Sequence, residues 1–154
     1  MTLDQIREFH QSYEVRQVRS VDVRPANPAA TEDLLRAARR SLTEAVVART
    51  PAERFAAAHL AALRGAAAVL AARSRATDRA QLRSVWSILP EVAGEFAEWA
   101  AFFAAGSGKR ASAQLGHAVV SAREADDLVR DAEAFLARVA GSLGLSHQSV
   151  LIGA

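Results

Sequence analysis

At 154 residues the chain is one domain's worth of protein, long enough to bury its own core, and 51% of it is hydrophobic. It has no cysteine, which excludes a disulfide framework and thiolate chemistry. A formal charge of +2 is a mild imbalance that solubility alone accounts for. Lys109 is the single lysine and every other basic residue is Arg. High-GC codon usage produces that Arg and Ala bias, so the Arg excess by itself says little about function. The first residues lack a charged-then-apolar signal pattern. No run approaches the roughly 18 apolar residues of a membrane span, so the sequence predicts a cytoplasmic chain without membrane contact.

In chain order, Leu3, Ile6, Phe9 and Tyr13 fall at helical spacing and predict an N-terminal helix. Pro25 and Pro28 break helices, so residues 24–30 read as a linker. Thr31 then opens a helix, with Glu32 and Asp33 in its first turn, where acids suit the dipole. Leu34, Leu35, Ala38, Leu42 and Ala45 form its apolar side, and it runs to about Ala48. Thr50, Pro51 and Glu53 make the best start in the chain: a cap, a proline at the first helical position and the reciprocal Glu. That helix reaches about Arg73. A polar connection over 74–81 leads to Val85, Trp86 and Leu89, which meet Pro90. Pro90 either kinks this helix or begins a new one. Val92, Phe96, Trp99 and Phe103 continue as a bulky stripe that ends near Gly106. A loop is expected over 106–120, with at most one turn at 111–115. Ser121 and Glu124 form a capping box for a last helix. Its stripe is Ala125, Leu128, Val129, Ala132, Phe135, Leu136 and Val139, stopped by Gly141. Beyond it lies a Gly- and Ser-rich tail with an apolar end, Val150 to Ile152. There is no convincing strand and no internal repeat. The patterns predict an all-α, up-and-down bundle of four core helices plus the N-terminal helix. The units are an N-terminal helix and linker over 1–29, the bundle over 30–141 and a tail over 142–154.

Chemistry is sparse. Arg73, Arg75, Arg79 and Arg83 gather around one connection, and Lys109 and Arg110 lie near another. If both sit at one end of the bundle they form a basic rim able to attract phosphate. A solvated Arg-rich loop is the plainer reading. Glu91, Glu95 and Glu98 share a helical face but lack an E-x-x-H partner, so no metal site is expected, and nothing calls for a cofactor. His59 falls inside an apolar stripe and reads as a core imidazole with a hydrogen-bonded ring. His10 and His147, in terminal segments without partner motifs, read as exposed. The Trp and Phe stripe reads as core. Arg110 and His117 remain, in or beside a Gly-containing loop, where functional groups are often presented. An imidazole can move a proton near neutral pH, and a guanidinium can hold a phosphate through two contacts. Attack of an RNA 2′-hydroxyl on its own phosphate needs only those two services.

The order of these parts resembles the HEPN superfamily of small helical bundles, and more narrowly a little-characterised actinobacterial HEPN family. The resemblance rests on ERFAAAHLAALRGAAAVLA (53–71), SVWSIL (84–89), EWAAFFAA (98–105) and SAREADDLVRDAEAFLARV (121–139). It covers about residues 30–141. It implies a homodimer that acts on or with RNA, a nucleotide or a protein partner. In ribonuclease members of the superfamily, an Arg-x4–6-His motif near the last helices forms a metal-independent site across the dimer. Arg110 and His117 match its order and its longest spacing, which would make His117 the general acid or base and Arg110 the phosphate ligand. The pattern departs at Ala111, where those members carry a polar residue. The alternative is a non-catalytic structural or protein-interaction bundle.

Overall fold

A computed structural model describes residues 26–73, 84–117, 119–145 and 147. The expected N-terminal helix, His10, Arg75, Arg79, Arg83 and the apolar end at Val150 to Ile152 lie outside the described residues. Five helices follow in order: α1 Pro28–Val47, α2 Pro51–Arg73, α3 Val85–Val92, α4 Ala97–Gln114 and α5 Ala122–Ser142. A 3-10 turn, Gly94–Phe96, joins α3 to α4, and no strand occurs among the described residues. The predicted all-α bundle is what forms.

Local chemistry explains most of the boundaries. α1 starts one turn earlier than the Thr31 expectation. Asn27 caps it by accepting the Ala30 amide at 3.3 Å, and Pro28 occupies the first turn, where a missing N–H costs nothing. Thr31 instead turns its hydroxyl to the Asn27 carbonyl at 2.8 Å. α2 opens with the expected box: the Glu53 amide donates to Thr50 Oγ1 at 3.2 Å, and the Thr50 amide donates to the Glu53 carboxylate at 3.3 Å. Pro90 lies in the last turn of α3. The chain leaves that helix at Ala93 and restarts through the 3-10 turn, so the third core helix is two pieces. α5 carries both halves of its predicted capping box. It runs through Gly141, however, and the true stop is Gly144, whose φ of +67° only glycine adopts at little cost.

α2 is the central helix, and α1, α3, α4 and α5 all pack on it. Its Ala-rich sequence is apolar enough to qualify for a membrane span by composition, contrary to the sequence expectation. Yet 61% of that stretch is buried by the other helices, which marks a bundle core. Small Ala faces let the backbones approach, and a few aromatic rings fill the volume between them. Phe103 stacks on Trp86 at 5.2 Å and on Trp99 at 6.0 Å, and Phe135 meets both Phe103 and Phe96. Burying each of these rings contributes roughly 1.5–3 kcal/mol.

Candidate functional site

The sequence pointed to the stretch around Arg110 and His117, and there the structure differs most from expectation. α4 does not end near Gly106. It continues as helix through Gly106, Gly108, Lys109 and Arg110 to Gln114. Gly106 is small for a packing reason rather than as a loop signal. A Cβ at that position would stand 3.3 Å from Cδ2 of His59, so glycine lets α4 close over the buried imidazole. The helix stops at Gly116 (φ +73°). The Gly116 amide donates to the Ala113 carbonyl at 3.1 Å and the His117 amide to the Ser112 carbonyl at 2.8 Å. His117 therefore follows directly on the helix stop, fixed through its backbone, with an exposed side chain. Arg110 lies seven residues earlier, within the C-terminal part of α4. Its guanidinium reaches Gln114 at 3.4 Å.

Two of the predicted cations, Lys109 and Arg73, are not free. Lys109 forms an ion pair with Glu124 and lies 5.8 Å from the centre of the Phe55 ring. Glu124 also serves the cap of α5, its carboxylate accepting from the Ser121 amide at 2.9 Å. The Lys109 ammonium, then the Ser121 donors, hold its carboxyl down at about 2. Arg73 is ion-paired with Glu95, the middle member of the carboxylate trio. Arg54 pairs with Asp126 at 2.5 Å, tying the start of α2 to the start of α5.

Two of the cations read as a possible basic rim, Lys109 and Arg73, do not sit together. Lys109 sits beside Phe55, near the start of α2, whereas Arg73 closes the same helix. Eighteen residues of helix put about 27 Å between them, so Lys109 and Arg73 lie toward opposite ends of the bundle. The neighbours of Arg73, namely Arg75, Arg79 and Arg83, lie outside the described residues. Among the described residues no three His, Asp or Glu side chains come together as metal ligands.

The remaining histidines divide. His59 is fully buried, as expected, and its Nε2 donates to the Phe103 carbonyl at 2.7 Å. Burial lowers its pKa; the Phe103 bond works the other way, and the nearby Arg110 charge adds to the lowering. That ring is structural, neutral and inside the core. His147 is not exposed, as the sequence reading had it. Its Nε2 lies 2.9 Å from the Glu133 carboxylate, and both side chains are largely covered. The signal available was Glu133 itself, a carboxylate interrupting the apolar stripe of α5, which requires a buried partner.

One further surface was not foreseen. Ala97, Ala101, Ala104, Ala105, Gly108, Ala111 and Leu115 recur at three- and four-residue steps along α4, and all are exposed. Phe102 stands beside them, 48% exposed. α4 is thus buried through Ala100, Phe103 and Ala113 on one side and apolar on the other.

The described helices form a small all-α bundle that closes on a boxed, strongly amphipathic helix. The chain belongs to the SAV_6107-like HEPN family, whose model matches residues 45–140. The match starts at the end of α1 and takes in α2 to α5, a shorter span than the sequence resemblance suggested. Comparisons with curated proteins and with solved structures find no match.

Proposed function

We propose that this chain is a cytoplasmic HEPN-type interaction module that acts as a homodimer, assembled across the outward face of α4. The observation that carries the reading is that face: small apolar residues over five turns, with Phe102 alongside, facing solvent in the single chain. Contiguous exposed apolar surface of this kind is characteristic of protein association, and small side chains let two helices approach closely. Size bounds the affinity. A helix of 18 residues is about 27 Å long and exposes roughly 300 Å² on one face. Stable dimers bury about 800 Å² per partner. The contact must therefore extend onto neighbouring apolar surface, such as Leu115 (70% exposed) and Val119 (93%), or stay weak. The pairing of Lys109 and Arg73 with carboxylates favours a protein partner over a polyanion at these positions. Sedimentation velocity across about 1–300 µM tests the proposal. The wild type should move from monomer to dimer, and Ala104→Glu should remain monomeric with unchanged helix content. A wild type that is monomeric throughout would remove the reading.

A second reading, metal-independent endoribonuclease, is favoured by one observation: the exposed His117 follows directly on the stop of α4, seven residues beyond Arg110. In this reading His117 takes the proton of a ribose 2′-hydroxyl as its oxygen attacks the adjacent phosphorus; the bond from phosphorus to the 5′-oxygen breaks, a 2′,3′-cyclic phosphate forms, and the leaving 5′-oxygen takes up a proton from water. Arg110 holds the phosphate it attacks, and a second pair comes from the partner subunit. Ala111 supplies no polar group beside them. RNA cleavage in EDTA should be abolished by His117→Ala and by Arg110→Ala. Equal cleavage in wild type and variants, or none in any, eliminates it.

A further inference from the structure

α4 is one helix in the structure but two in its sequence pattern. Ahead of Gly106 it is built mainly from Ala, Trp and Phe; behind Gly108 it carries Lys109, Arg110 and Gln114. Between them, Gly106, Ser107 and Gly108 place two poor helix formers within three positions. Gly106 has a packing reason, since a side chain there would crowd His59. Gly108 has none: nothing stands within 4 Å of where its Cβ would be, and the position is exposed. Local preference therefore breaks the helix where the fold continues it, and a tertiary contact has to hold it straight.

His59 supplies that contact. It reaches across from α2, and its Nε2 donates to the Phe103 carbonyl, three residues before Gly106. The rings of Trp86 and Phe103 meet it edge-on, each at 5.9 Å, and it is fully buried. With Nε2 donating, Nδ1 carries the lone pair, and no hydrogen-bond partner among the described residues reaches it. A proton on Nδ1 would be a charged donor without an acceptor in an apolar setting. Arg110, one turn beyond Gly106 on the same side of α4, adds a like charge, whereas α3 meets the ring with the uncharged Trp86. Burial first, then the Arg110 charge, push the pKa of His59 below the ordinary 6.5. The imidazole can take up a proton only by leaving its seat between α2 and α4.

We propose that α4 is hinged at residues 106–108, and that uptake of a proton by His59 frees residues 109–114 from the bundle while the other helices stay folded. What else holds that segment is slight. The Lys109–Glu124 pair is partly in water, and Ala113, the one buried side chain of the segment, covers little area. The freed segment carries Arg110 and leads on to His117, and Ala111 and Leu115 of the outward face move with it. Mild acid then withdraws the Arg110 guanidinium and one end of that face together. This hinge rests on neither the dimer nor the nuclease reading.

Amide exchange in the full-length chain, corrected for the intrinsic rate at each pH, reads the opening. The amides of residues 110–114 bond to carbonyls at or beyond the hinge, and should lose up to about tenfold in protection between pH 7.5 and 5.5. Amides of residues 125–139 in α5 should change far less. Gly108→Ala keeps His59 but favours helix at the hinge, so exchange of 110–114 should slow about fivefold at both pH values, with the pH dependence retained. His59→Leu, which takes up no proton, should abolish the pH dependence. A rise of equal size in α4 and α5 would mean global unfolding and would overturn the proposal. So would exchange of 110–114 that is insensitive to pH in the wild type, or unchanged by Gly108→Ala.

Discussion

Substituting three helical glycines with alanine tests whether packing or propensity governs this bundle. Gly65 lies on α2 where α5 crosses it. A Cβ there would come within 2.4 Å of Leu136 Cδ2 and 3.6 Å of the Phe135 ring. Leu136 is itself only 2% exposed, so its methyl has to move by about 1 Å in a filled core. Helix propensity favours alanine over glycine by about 0.8–1.0 kcal/mol. Overpacking of a closed core costs about 1–3 kcal/mol. The second effect wins, and Gly65→Ala should be destabilising by up to about 2 kcal/mol. Gly141, near the end of α5, has nothing within 4 Å of its Cβ position, so only the propensity term acts. Gly141→Ala should stabilise by up to about 1 kcal/mol. Gly106 is intermediate, with its nearest atom, His59 Cδ2, at 3.3 Å, and Gly106→Ala should come out near neutral. Urea midpoints at unchanged m-value decide the matter, with thermal midpoints moving by about 4 °C per kcal/mol. If Gly65→Ala raised the midpoint as much as Gly141→Ala, the close α2–α5 contact would not exist as described.

Further outcomes follow from the caps and titrating groups. Ser121→Ala removes one half of the α5 capping box and should cost about 1 kcal/mol, measured by denaturant melts. The folded state disfavours protonation of His59, so the stability from its neutral form is full above pH 6.5 and is lost as pH falls toward its lowered folded value. Melts between pH 7.5 and 5 should show this slope in the wild type and a shallower one in His59→Leu. Glu124, held at about 2 against an ordinary 4.5, contributes stability above pH 4.5 that is lost as pH falls toward 2. Glu124→Gln keeps a side chain able to cap but not the Lys109 charge pair, and should flatten the acid limb over that window.

The helices were legible because their signals are local. Thr50 with Glu53, and Ser121 with Glu124, name their own termini, and the stripe from Ala125 to Val139 repeats with the helical period. The boundaries that differ all involve glycine or proline, through tertiary contact at Gly106 and through local backbone conformation at Gly144 and Pro28. Gly106 reads as a loop until His59 is seen beneath it. Gly141 reads as a stop until Gly144 is seen to hold the left-handed conformation. Pro28 reads as a breaker although the first turn of a helix accepts it. Ion pairs were the least legible feature. Lys109 with Glu124 spans 15 residues and Arg54 with Asp126 spans 72, and no periodicity joins such partners. The outward face of α4 is hidden in the sequence by Gly106, which reads as a stop and divides the small-residue repeat between a helix and a loop.

Salt dependence separates the ways this bundle could meet RNA. At the end that carries His117, Lys109 and Arg54 are engaged with Glu124 and Asp126. Among the described residues there, Arg49 and Arg110 pair with no carboxylate. Two phosphate contacts on a single strand give a slope of about −1.4 in log K against log salt. Raising salt from 50 to 200 mM would then weaken binding only about 7-fold, or about 50-fold if a dimer presents four contacts. Binding through the Arg73–Arg83 region, or with Lys109 and Arg54 released from their carboxylates, would raise the number of contacts and steepen the slope. Filter binding or fluorescence anisotropy with a short RNA, in EDTA to prevent metal-dependent degradation, supplies the measurement. Arg110→Ala should flatten the slope by about 0.7 per chain. A steep slope that Arg110→Ala leaves untouched would move the RNA-binding surface away from the α4–α5 end and take the proposed nuclease chemistry of His117 with it.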